Sequence, residues 1–319
     1  MKILVTGGAG FIGSHVVDAY VNEGHSVAVV DDLSSGKREN VNTDARFYHV
    51  DIRSDELKDV LASEKPDVVN HHAAQISVTG SVEDPVNDAD INVLGFLNVM
   101  ESARMNGTKK IIFISSGGAI YGEASEYPTS EQYVPQPLSP YAISKMVSED
   151  YLRFYDHQYG LDYTVLRYAN IYGPRQIPHG EAGVVAIFMD NLLQGTSSAL
   201  YHFPDEPGGM TRDYCYVGDV MRANIAALRK GGKECINIGT GKATHTGSLF
   251  EAIHGDLVKR GENPSPADEL LERAAARPGE MSKSCLKVEK AEQILGWTPE
   301  TDLESGIAKT LDWRNTQEK

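Results

Sequence analysis

The stretch VTGGAGFIGSH, which begins at Val5, constrains this chain more than any other. A strand-like run, KILVT, leads directly into it, and a helix-length run follows to about Gly24. Gly7, Gly10 and Gly13 are spaced G-x-x-G-x-x-G, while Gly8, Gly10 and Gly13 satisfy G-x-G-x-x-G. Glycines so placed allow a tight turn between strand and helix, and they let backbone N–H groups approach a diphosphate at the positive end of the helix dipole. Phe11 and Ile12 open the helix inside the same turn. Further β-rich runs recur at SVAVVD, RFYHVDI, DVVNHHA, KIIFISS and YTVLRYAN, with helix-length stretches between most of them. Such alternation predicts an α/β fold, a parallel sheet with helices on both faces.

The second run, SVAVVD, ends at Asp31, about 20 residues beyond the glycines. A carboxylate there accepts the ribose hydroxyls of an adenosine and repels a 2′-phosphate, so the expected cofactor is NAD rather than NADP. Asp51 and Ile52 end FYHVDI where a third parallel strand would meet the adenine. His71 and His72 are adjacent, and neighbours on a strand point to opposite faces; with no third ligand suitably spaced, no metal site is expected. The whole reads as a Rossmann-type doubly wound sheet. After about Asn170 the pattern loosens, broken by Pro174, Pro178, Pro204, Pro207, Pro264, Pro266 and Pro278. The expected division is an NAD-binding unit over 1–170, with interleaved contributions from about 214–240, and a smaller C-terminal α/β substrate lobe over 171–319.

SPYAISK places Tyr141 and Lys145 four residues apart, with Pro140 suited to the first turn of a helix beginning near Ser139. Both side chains then lie on one helix face. A nearby ammonium and an oxidised nicotinamide favour the phenolate, which makes Tyr141 a candidate general base.

At this point the chain resembles the extended short-chain dehydrogenase/reductase family, and within it the UDP-glucose 4-epimerases. The resemblance runs nearly end to end through TGGAGFIGSH, SPYAISK, LRYANIYGPRQ, RDYCYVGDV, NIGTG, RPGE and LGWTPETDLESGI. It implies that Ala73, Ala74, Gln75, Asn92 and Tyr168 line the cofactor alongside Tyr141 and Lys145. It also implies that Asn170, Arg212 and Arg277 bind the diphosphate of a UDP-sugar and that Glu280 accepts the uridine ribose hydroxyls. Ser284 is placed beside the sugar's carbon 2, where a small residue leaves room for an acetamido group. Many family members carry the catalytic Ser or Thr four residues before the strand-end tyrosine, where this chain has Gly117; Ser116 is then the nearest hydroxyl and Ser115 the reserve. Related dehydratases and decarboxylases follow that hydroxyl with acids. IFISSGGAIYG has none, which leaves oxidation and reduction at one carbon and hence 4-epimerisation.

Two other readings follow from the residues. A UDP-glucuronate 4-epimerase would need cations near carbon 6, and Arg175 and His179 are the candidates. A non-enzymatic NAD-binding sensor on the same fold would commonly lack Tyr141 or Lys145. A homodimer is expected from the resemblance, through helices near 93–106 and 145–158.

Thirty basic residues against 45 acidic ones give a net charge of -15, which repels nucleic acid and anionic membranes over most of the exterior. No segment approaches 18 apolar residues, and no leader precedes the first strand. With Cys215, Cys235 and Cys285 lacking paired spacing, a reducing, cytoplasmic setting is expected. Trp297 and Trp313 are expected in the core.

Overall fold

The computed structural model describes residues 1–178, 183–262, 265–277 and 280–317, the Gln317 side chain excepted. His179, Pro264 and Pro278 lie outside them.

Among the described residues twelve strands are numbered in chain order: β1 Lys2–Thr6, β2 Ser26–Asp31, β3 Arg46–His49, β4 Val68–His71, β5 Lys110–Ser116 and β6 Asp162–Tyr168. They continue with β7 Asn170–Tyr172, β8 Ser198–His202, β9 Thr211–Tyr216, β10 Glu234–Ile238, β11 Ala243–His245 and β12 Leu271–Ala275. Seven form one sheet in the order β10-β6-β5-β4-β1-β2-β3, with every pairing parallel. The strands read as continuous apolar runs because both faces are covered. On one face Val5, Val29, Ile112 and Leu166 pack with Val16, Val17 and Tyr20 of the helix Phe11–Asn22 and with Val220 and Ala223 of the helix Val217–Ala227. On the other, Leu4, Val30, Val69, Ile111 and Val165 pack with Leu61, Phe96, Val99, Met100, Leu152 and Tyr155.

Two of the apolar runs behave differently from their sequence pattern. RFYHVDI forms a strand only to His49, because β2, its single neighbour, ends at Asp31 opposite that residue. YTVLRYAN contains two strands in different sheets: β6 ends at Tyr168, and after Ala169 the chain enters β7, which pairs with β9. Phe188, Met189, Leu249, Phe250, Ile253 and Leu311 belong to a separate hydrophobic core. The chain returns from it at Val217 to supply a helix and then β10 to the main sheet.

Buried polar groups join the layers. Asn70 donates to the Tyr20 hydroxyl and to Asn224 Oδ1, both at 2.8 Å, and Asn224 donates to the Tyr168 hydroxyl at 2.6 Å. Trp297 is buried and donates its indole N–H to the Asp219 carbonyl at 2.8 Å, whereas Trp313 is only half-buried and belongs to none of the core clusters. The three cysteines are free; Cys215 and Cys285 are buried.

Gly13 rests against the turn itself: a Cβ there would lie 2.2 Å from the Gly7 carbonyl oxygen. Gly13→Ala is therefore expected to lower stability by about 3 kcal/mol in denaturant unfolding. Gly255→Ala, in a helix with open space at the Cβ, is expected to raise it by about 0.5 kcal/mol.

Candidate active site

The C-terminal ends of β1, β2, β4, β5 and β6 open into one cavity of about 570 Å³, a size typical of a small-ligand site. Its floor is the glycine turn. Gly7 adopts φ +69°, and a Cβ on it would lie 2.6 Å from the Ala73 nitrogen, so strand β1 and the segment after β4 approach as closely as backbone permits. The helix Phe11–Asn22 starts without a side-chain cap, which leaves its first N–H groups facing the cavity where a diphosphate would lie. Asp31 stands at the end of β2, buried, accepting from Ala9 N at 2.9 Å and Leu33 N at 2.8 Å. Burial raises its pKa and the two backbone donors oppose that rise. A cradle that side chains would fill, an uncapped helix end and a strand-end carboxylate together fit a dinucleotide.

Gly7, Gly10, Phe11, Ile12, Gly13, Asp31, Asp51, Ile52, Ala73, Ala74, Gln75, Ser116, Tyr141, Lys145, Tyr168 and Asn170 all line this cavity. Asp51 is also paired with Arg53 at 2.6 Å, which holds its carboxyl below the usual range. Tyr168 offers the cavity its ring, its hydroxyl being taken by Asn224. Asn92 is not on the wall. It grips Gln75 from behind, accepting from Gln75 N at 2.9 Å and donating to its carbonyl at 3.0 Å.

The helix Pro140–Tyr159 begins at an N-cap, Ser139, whose side chain accepts from Ala142 N, and Pro140 occupies the first turn. This sets Tyr141 and Lys145 beside the end of β5. Ser116 lies near enough to the Tyr141 phenol to oppose the rise that burial imposes on its pKa, whereas Ser115 donates to Glu149 Oε1 at 2.7 Å, deep in a buried pair between Glu149 and Arg167. The geometry thus separates the two hydroxyls: Ser116 meets the phenol and Ser115 serves the ion pair. Gly117 has no room for a side chain, since a Cβ would lie 2.6 Å from Leu286 Cδ1.

Lys145 is arranged differently from the simple picture of an ammonium hydrogen-bonded to a phenol. Its Nζ donates to the Ile114 carbonyl at 3.0 Å and lies 5.8 Å from the centre of the Tyr141 ring. Burial lowers its pKa to about 8, and burial raises that of Tyr141 to about 12. Burial thus favours the protonated phenol. His71 is packed between Phe96 and Phe113 and bonded to Thr6 Oγ1 at 2.8 Å, and no cluster of metal-ligating side chains occurs among the described residues.

The residues assigned to the sugar nucleotide lie to one side. Asn170 Oδ1, Ser284 Oγ and Ser116 Oγ all fall within 4 Å of the point a Cβ on Gly118 would occupy, so these three polar groups converge. Ser284 is buried rather than in a surface turn. Arg212, Arg277 and Glu280 are not on the cavity wall. Arg212 donates to the Met281 carbonyl at 2.8 Å, and Arg277 donates to Glu280 Oε1 at 2.8 Å with its guanidinium 4.1 Å over the Tyr201 ring. Arg175 is paired with Asp18 on the dinucleotide helix at 2.8 Å.

Sequence reasoning missed the wall formed by Gln176, Gly183, Val184, Val185 and Tyr214. Gly183, with φ +88°, immediately before the apolar helix Val184–Gln194, was the available signal.

The chain is 44% identical over 319 residues to the UDP-glucose 4-epimerase of Mycolicibacterium smegmatis, covering 98% of each. Its structure superposes on the UDP-glucose 4-epimerase of Thermotoga maritima, solved with UDP-glucose, with a TM-score of 0.92 at 45% identity and full coverage of both chains. That of Thermus thermophilus, solved with NAD, gives 0.90 at 43% identity and 99% coverage of each. The family model for NAD-dependent epimerases and dehydratases matches residues 3–239, from β1 to the turn after β10, and the chain belongs to that family.

Proposed function

We propose that this protein is an NAD-dependent 4-epimerase of UDP-hexoses, interconverting UDP-glucose and UDP-galactose through a 4-keto sugar. The observation that carries this reading is the Ser116–Tyr141–Lys145 constellation at the mouth of a dinucleotide cavity with no acid after the hydroxyls. Gly117, Gly118, Ala119 and Ile120 offer no proton donor for elimination, so the site is limited to moving a proton and a hydride at one carbon.

Bound NAD supplies the acceptor, and then the donor, of the hydride at carbon 4. Tyr141 takes the proton of the 4-hydroxyl and later returns it. Since burial favours the protonated phenol, its deprotonation depends on positive charge in the occupied site, from Lys145 and the oxidised nicotinamide. Ser116, which lines the same cavity as Tyr141, is proposed to share the 4-oxygen and hold it in line. Turning the keto sugar over requires a firm grip on the nucleotide. Asn170, Arg212 and Arg277 are the groups proposed to hold the diphosphate and Glu280 the ribose, with Arg277 and Glu280 hydrogen-bonded to each other. The pairing of Arg175 with Asp18 favours a neutral hexose over a uronate.

The 1–170 unit with 214–240 is read as the NAD-binding part and the remainder as the sugar-nucleotide lobe. The short helices before residue 96, the helix Phe96–Met105 and the helix Pro140–Tyr159 leave Val82, Val86, Leu94, Met105, Ile143 and Phe154 exposed, Val86 to 77%, which supports a homodimer through these helices.

The experiment that tests the assignment is incubation with UDP-galactose and chromatographic separation of the products; absence of UDP-glucose would sink it. Tyr141→Phe should lower turnover by about 10²-fold or more while leaving NAD bound. Ser284 leaves space beside Gly118 and Ser116, so UDP-GlcNAc and UDP-GalNAc are expected to interconvert as well. Ser284→Tyr should suppress that N-acetyl pair and spare the other, since a phenol ring excludes an acetamido group sterically. Equal loss of both pairs would refute the pocket assignment.

A further inference from the structure

One buried acid near the site has no part in the proposed chemistry. Asp88 lies in the short helix Pro85–Ala89 and is 0% exposed. Its carboxylate accepts from Ser144 Oγ at 2.7 Å, Asn92 Nδ2 at 2.9 Å and Gln75 Nε2 at 3.1 Å. Each donor belongs to a different part of the site. Ser144 immediately precedes Lys145 on the catalytic helix, Gln75 stands in the cavity wall, and Asn92 lies in a π-helical turn, Asp90–Gly95. Single π-turns inserted between α-helical segments are frequent at functional positions.

All three donors are neutral, and among the described residues no cation is bonded to Asp88. A carboxylate so buried is costly unless a positive charge lies within reach. The charged and titratable groups that face Lys145 are Asp88, Glu149, His71, His72 and Tyr141. His71 and His72 are neutral, their pKa values pushed far down by burial and by the Lys145 charge. Glu149 is already bound to Arg167 at 2.6 Å and to Ser115. Asp88 is left as the anion with no guanidinium of its own, and its charge opposes the effect of burial on the Lys145 ammonium.

We infer that Asp88 is a positioning residue for the Tyr141–Lys145 pair, fastening the catalytic helix to the cofactor loop and supplying the Lys145 ammonium with its counter-charge. The inference rests on the assignment of Tyr141 and Lys145 as the working pair.

Its test titrates Lys145 directly, by acetylation with acetic anhydride across pH in the purified protein and quantification of the Lys145 peptide by mass spectrometry, with no sugar present. In Asp88→Asn the midpoint should fall by roughly one pH unit, as expected when a nearby opposite charge is removed. An unchanged midpoint overturns the inference. Failure of the epimerase assignment would show separately, as a wild-type protein that turns over no sugar nucleotide. If Asp88→Asn does not fold, Lys145→Met carries the test. Burial already raises the Asp88 pKa and the Lys145 charge opposes that rise, so without the ammonium it climbs further above its unfolded value of about 3.9, and stability is lost as pH climbs above that value. The melting-temperature deficit of Lys145→Met against wild type should then widen between about pH 4 and pH 7. A deficit independent of pH overturns the inference.

Discussion

The contact on which the rest of the structure depends is the one between the first helix and the strand that precedes it. The Gly13 Cα lies so near the Gly7 carbonyl that no Cβ fits between them. This closeness turns the chain directly from β1 into a helix lying flat on the sheet, with Val16, Val17 and Tyr20 set against Val5 and Val29. It also draws the Ala73 backbone against Gly7 from the other side. A floor made of backbone N–H groups is the result, at the ends of strands whose side chains are committed to the core. The cavity exists because the glycines remove the atoms that would have filled it.

Opposite this floor the catalytic face is held by charge as well as by packing. Arg167 in β6 and Glu149 on the catalytic helix form a buried pair, and Arg167 also donates to Tyr121, which donates to Asn237 in the last strand of the sheet. Breaking such a pair from one side leaves an uncompensated buried charge, so the arrangement locks the register of helix against strand. Ser115 is drawn into it, while its neighbour Ser116 is left on the cavity wall with Tyr141. Position on the strand, rather than distance from Tyr121, decides which hydroxyl meets the phenol.

Much of this was legible in the sequence, and the reasons are physical. Parallel strands covered on both faces announce themselves as uninterrupted apolar runs, which is why each of the first six was located and why the Ser139 cap and Pro140 marked the start of the catalytic helix. What escaped were features set by partners distant in sequence. The division of YTVLRYAN between two sheets depends on β9, whose pairing with β7 no local pattern reveals. The cavity wall at Gln176, Val185 and Tyr214 arises from packing of the second lobe. Asn92 carries an amide that suits a cofactor, yet the π-turn rotates it onto Gln75. Arg277 and Glu280 were recognised as a motif, but nothing in their spacing indicated that they would face each other.

The late arrival of β10 has a consequence for how such a chain is made. β6 needs β10 as its neighbour, and the helix Phe11–Asn22 is covered by the helix Val217–Ala227, so the edge of the sheet and one face of its first helix stay open until about residue 238 has been synthesised. A ribosome that has released only the first 170 residues holds an unpaired strand edge and bare apolar surface, the conditions under which nascent chains associate wrongly. Cutting the chain at the visible boundary would leave the same defect permanently. The two cores are inseparable in assembly, because the first is completed only by a segment that follows residues of the second.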